Sequence, residues 1–111
     1  MSVDTRSSEE VWREFWISLA SLLRSYTALH GLSSKQQATV VADDKYISVR
    51  RGANHLILER LGQIVLWGCT DGRSGAMDFT EEGQLRSRAG LEEMDMAAER
   101  WARDLMRESQ Q

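Results

Sequence analysis

The periodicity of this chain predicts an α+β fold: an N-terminal helix, a four- to five-stranded antiparallel meander sheet, and a C-terminal helix. Three observations carry that reading. Apolar residues recur at intervals of three and four between Trp12 and Leu29. From Ala38 to Trp67 they alternate with polar residues in short runs divided by turn residues, and after Leu91 the three-four spacing returns.

The first helix is expected to open at Ser7-Ser8-Glu9-Glu10, where a Ser cap and a Glu three residues on form a capping box. Its stripe is Trp12, Phe15, Leu19, Leu22, Tyr26 and Leu29, widened by Trp16 and Leu23 into a core-facing band. Fewer than four heptads argue against a coiled-coil seam. Gly31 is the expected left-handed stop, with Leu32 folding back on the last turn.

The strands follow. Ala38 to Ala42 and Lys45 to Arg50 read as a hairpin turning at Asp43-Asp44, which sets Val40 opposite Ile47 and Ala38 opposite Val49. Across Gly52-Ala53-Asn54 the next strand brings Leu56 to Val49, Leu58 to Ile47 and Arg50 to His55. A turn at Leu61-Gly62 then places Val65 opposite Leu58 and Trp67 opposite Leu56. Ala76 to Phe79 is expected as an edge strand before a polar run from Thr80 to Arg88. The last helix is expected from Leu91 to Arg107, with Leu91, Met94, Ala98, Trp101 and Leu105 on one side, acids early and bases late. One domain spanning residues 9–108 is expected, with a disordered start at 1–8 and a frayed end at 109–111.

The reverse face of this sheet reads Thr39, Val41, Tyr46, Ser48, Arg50, His55, Ile57, Glu59, Ile64 and Leu66. Burying Val41, Tyr46, Ile57, Ile64 and Leu66 represents on the order of 10 kcal/mol, comparable with the stability of a whole domain. Something other than water is therefore expected to lie against them. Either the two helices take opposite faces of the sheet, or both share the inner face and the outer one meets another molecule. A homodimer is the simplest second body.

Composition narrows the function. The chain has 111 residues, 41% of them hydrophobic, and a net charge of −3, which disfavours nucleic acid as a partner. Neither a signal peptide nor a membrane-spanning run is read, and the single Cys69 fits a reducing, cytoplasmic setting. Between Gly68 and Gly75 the glycine spacing is not that of a phosphate-binding Walker loop, and no Lys follows it. Asp71-Gly72 instead signals a hairpin turn. A sharper reading makes Asp71, Gly72, Arg73 and Ser74 a small anion site beside a pocket lined by Trp67. Cys69 would need His55 or His30 in reach to act as a nucleophile. His55 and Glu59, about 13 Å apart along a strand, do not share a metal.

No motif carries a family resemblance, and no cofactor or metal is implied. The expected function is a non-enzymatic interaction module, adaptor or chaperone-like, self-associating through Val41, Tyr46, Arg50, His55, Ile57, Ile64 and Leu66. Small-molecule or anion binding at the Gly68–Gly75 loop is the alternative, and an enzyme using Cys69 or Asp71 comes third.

Overall fold

The computed structural model describes residues 8–32 and 35–107. The Ser7 cap, residues 1–7 of the disordered start expected at 1–8, and the frayed end expected at 109–111 lie outside the described residues, whereas Ser8 is not disordered but opens the first helix. Helix α1 (Ser8–His30) leads into seven strands, β1 (Thr39–Ala42), β2 (Tyr46–Arg51), β3 (Asn54–Leu61), β4 (Ile64–Cys69), β5 (Ser74–Phe79), β6 (Leu85–Ser87) and β7 (Gly90–Glu92). Helix α2 (Met94–Met106) follows. Each strand pairs antiparallel with the next, in the order β1 to β7. The class is α+β as the periodicity predicts, with more strands than the four or five expected.

The α1 stripe is rotated slightly from the expected one. Trp12, Trp16, Leu19, Ala20, Leu23 and Thr27 are buried, Phe15, Leu22 and Tyr26 are half-buried, and Leu29 is exposed. Thr27 is buried with its hydroxyl satisfied, donating to the Leu23 carbonyl at 2.7 Å. Gly31 does not take a left-handed conformation. It is needed for space, since a Cβ there would stand 2.8 Å from Gln37 Oε1 and 3.0 Å from the Thr27 carbonyl. Leu32 points into solvent rather than back onto the helix.

Two hairpins slip by two residues from the expected register, which keeps every side chain on its expected face. In the first, Asp43 Oδ1 accepts from the amides of Lys45 and Tyr46, both at 2.8 Å. Asp43 thereby becomes the residue before the corner, the turn falls on Asp44-Lys45, and Val40 meets Val49. In the third, Gly62 (φ +66°) supplies the positive φ that a two-residue hairpin needs, so the turn is Gly62-Gln63 and Leu58 meets Trp67. The β2–β3 pairing matches expectation, including Val49 with Leu56 and Arg50 with His55.

Beyond β4 the reading changes more. β5 is not an edge strand, because β6 and β7 continue the meander. Leu91 belongs to β7, opposite Arg86, and is 60% exposed rather than on a helix stripe. α2 begins only at Met94 and buries Ala97, Ala98, Trp101, Ala102 and Met106, whose small alanines let it lie close to its neighbours.

Both helices cover the same side of the sheet. The core joins α1 and α2 to Ile47, Val49, Leu56, Leu58, Val65, Met77, Phe79 and Leu85, the inward residues of five strands. Aromatic rings fix the contact: Trp12 meets Phe79 edge-on at 4.8 Å between centroids, and Trp67 meets Trp101 at 5.7 Å. His30 and Glu99 bridge the helices at 2.9 Å. The option in which the helices take opposite faces is therefore overturned.

Candidate partner-binding face

Register lays out the side of the sheet away from the helices. One row across the strands is Val41, Ser48, Ile57, Gly68 and Ser74. On one side of it lie Thr39, Arg50 and His55, and on the other Tyr46, Glu59, Leu66 and Ala76. A further row pairs Leu61 with Ile64. Strand alternation, seen in the burial of β2 and β3, turns all of these away from the core.

Val41 is 62% exposed, Ile64 52%, Tyr46 45% and Leu66 40%, while Ile57 is half-buried. A contiguous apolar patch runs over β3, β4 and β5 through Ile57, Leu61, Ile64, Leu66 and Ala76. Val41 stands apart from it, separated by Ser48. Leu61 and Ala76 were not expected in this surface. The sequence places Leu61 in a turn, although extending the alternation of His55, Ile57 and Glu59 by two residues reaches it.

Polar groups border the patch. The Tyr46 hydroxyl donates to Glu59 Oε2 at 3.2 Å, and the Glu59 charge, followed by that hydrogen bond, holds the Tyr46 pKa above its ordinary value. Arg50 is exposed and forms no ion pair with a described residue. Asp78 and Arg86, paired across β5 and β6, close the opposite border with two charge-assisted hydrogen bonds of 2.9 and 2.8 Å.

The Gly68–Gly75 loop lies at the end of the β4–β5 hairpin. Its polar groups are largely turned upon one another: the Gly72 amide donates to the Cys69 carbonyl at 3.0 Å and the Arg73 amide to Asp71 Oδ1 at 3.0 Å. The Arg73 guanidinium holds Asp71 at 2.7 Å and reaches Asp104 of α2 at 3.4 Å. Amide donation from Arg73 keeps the Asp71 carboxyl below the usual range. Ser74 is exposed opposite Gly68 on the outer side. Trp67 faces inward and does not line the cleft beside the loop, a space of about 220 Å³ bounded by Asn54, His55, Cys69, Thr70, Asp71, Arg73, Trp101 and Asp104.

Cys69 and His55 thus border one cleft, but burial pushes the Cys69 thiol up rather than down, opposite to an activated nucleophile. His30 is engaged with Glu99 between the helices. Among the described residues, no group of three or more His, Cys, Asp or Glu could hold a metal ion. No described helix is long and apolar enough to cross a membrane.

The class these features define is an open, helix-backed antiparallel meander with one greasy outer face. Beyond that class, no protein family, curated protein or solved structure matches the chain.

Proposed function

We propose that this protein is a non-enzymatic interaction module, adaptor or chaperone-like, that self-associates through the outer face of its sheet. One observation carries the reading: both helices lie on the inner face, so Val41, Tyr46, Ile64 and Leu66 are left 40 to 62% exposed. Exposed apolar groups on a continuous sheet face are a cost in water and a gain in an interface. Tyr46, Arg50 and His55 at the border suit a contact rim, where Tyr and Arg are enriched. A cytoplasmic setting belongs to the same proposal, supported by a single cysteine in the sequence.

The test is size against concentration by light scattering, for the wild type and for a variant carrying Tyr46→Ala and Ile64→Asp. The wild type is expected to gain mass as concentration rises and the variant to remain at the mass of one chain. A variant that behaves like the wild type while staying folded and soluble removes the role assigned to this face.

A further inference from the structure

We propose that the protein also binds a small, uncharged aromatic molecule carrying a hydrogen-bond acceptor, in a cleft of about 330 Å³ between α2 and the β4–β7 end of the sheet. The cleft lies on the inner side, beneath α2, so this site is separate from the outer face.

The residues beneath α2 make the space. Strand alternation and pairing put Gly75 and Met77 of β5, Leu85 and Ser87 of β6, and Gly90 and Glu92 of β7 on the inner side. In β2 and β3 the inner positions are filled by Ile47, Val49, Leu56 and Leu58, all buried. Gly75, Ser87 and Gly90 present almost nothing, where a close-packed interior calls for bulk. Gly75 also gives Trp67 its place. A Cβ there would stand 2.9 Å from Trp67 Nε1 and 3.1 Å from its Cε2, so the indole lies across the bare backbone of the residue it pairs with.

The walls suit an aromatic ring. Trp101 of α2 meets the Trp67 indole edge-on, with 5.7 Å between centroids and 62° between ring planes. Met77 and Leu85 complete an apolar lining. A ring seated there gains the edge-to-face contacts that aromatic groups favour and a polarizable sulfur beside it. The volume falls at the lower end of the range for ligand pockets, roughly 300–1,000 Å³.

Polar chemistry sets the rest of the ligand. Arg100 lies 5.3 Å over the Trp101 ring and donates from Nε and Nη2 to the two carboxylate oxygens of Glu92, at 3.1 and 2.8 Å. These two charges answer one another, so a charged ligand would meet no unopposed partner. What remains on offer is donors. Glu92 takes only part of the Arg100 fork, and the Ser87 hydroxyl accepts from the Ala89 amide at 3.2 Å while keeping its own O–H to give. The Trp101 Nε1–H is buried and has no hydrogen-bond partner among the described residues, a condition rare in folded proteins. A neutral acceptor such as a carbonyl answers that set.

The experiment follows the four indole N–H signals of the full chain by NMR, assigned with single Trp→Phe variants. The probes are acetophenone, ethylbenzene and benzoate: a neutral ring with an acceptor, a similar ring without one, and an anion. Acetophenone is expected to shift the Trp67 and Trp101 signals with a dissociation constant on the order of 0.1–1 mM. It is expected to bind about three- to tenfold more tightly than ethylbenzene, and more tightly than benzoate. Trp12 and Trp16, which do not line this cleft, are expected to hold still. Ser87→Leu is expected to fill the space and raise the acetophenone dissociation constant at least about tenfold, with circular dichroism and melting verifying the fold. Where that variant does not fold, Ala89→Leu in the adjoining turn serves in its place.

Trp67 and Trp101 signals that stay fixed up to about 10 mM acetophenone, or that move no more than those of Trp12 and Trp16, overturn the site. Undiminished binding in a folded Ser87→Leu or Ala89→Leu chain overturns it as well. Ethylbenzene binding as tightly as acetophenone, or benzoate binding more tightly than either, overturns the ligand class.

Discussion

Leu58 and Ile57 are consecutive residues on β3 that point to opposite sides of the sheet, and truncating each to alanine measures the difference between those sides. Leu58 is fully buried, between Ile47 and Trp67 in the neighbouring strands. Leu58→Ala is expected to cost about 2–5 kcal/mol, from lost transfer energy and the cavity left in a packed core. Ile57 is half-buried and lies between Ser48 and Gly68, which offer it little to pack against. For Ile57→Ala in the single chain the expected cost is about 1 kcal/mol or less. Urea unfolding followed by tryptophan fluorescence, at a dilution where the chain does not associate, reads both. With a slope of about 1.5–2 kcal/mol/M, a loss of ~3 kcal/mol lowers the Leu58→Ala midpoint by about 1.5–2 M, while the Ile57→Ala midpoint moves by about 0.7 M or less. Equal losses would mean that both sides of β3 are packed within one chain, and the two-sided assignment of the sheet would be wrong.

Gly83 has φ +84°, and a Cβ there would stand 2.9 Å from the Phe15 ring, so Gly83→Ala is expected to destabilise by about 1–3 kcal/mol in the same unfolding assay. Because burial holds the Cys69 thiol protonated, alkylation of native protein at pH 7.5 is expected to run slower than that of a free cysteine peptide; a faster reaction would point to an activated thiol. Amide donation from Lys45, then Tyr46, lowers the Asp43 pKa from its usual 3.8. A depressed carboxylate contributes stability that is complete above its unfolded pKa and is lost as pH falls through the lower folded value. Asp43→Ala is therefore expected to be less stable than wild type at neutral pH, with the gap closing below about pH 4 in melts across that range.

Legibility in the sequence followed the length of each periodic stretch. Along α1 and β2 to β4, six or more residues alternate or repeat, and burial enforces the pattern, so faces were legible even where turns were misplaced. Asp43 shows why the turns failed: its carboxylate captures two amides and moves the corner by one residue, a local hydrogen bond that alternation does not encode. β6 and β7 have three residues each. In β6 only Leu85 is buried, so no period exists to be read and the segment resembles a polar loop. Leu91 has the right spacing for the α2 stripe but is taken by pairing with Arg86, a tertiary demand on an ambiguous residue. Within the candidate face, Val41, Tyr46, Ile57, Ile64 and Leu66 were legible because alternation placed them opposite the core. That both helices lie on one side was not, since either helix stripe could serve either face.

Hydroxyl-radical footprinting of the wild-type chain as a function of its own concentration addresses the outer face most directly. Labelling of Tyr46, Ile64 and Leu66 is expected to fall as concentration rises, while solvent-facing Ile17 and Met96 on the helices keep a constant rate. Unchanged labelling of all five residues across the range would show water, and no second copy, against the far side of the sheet.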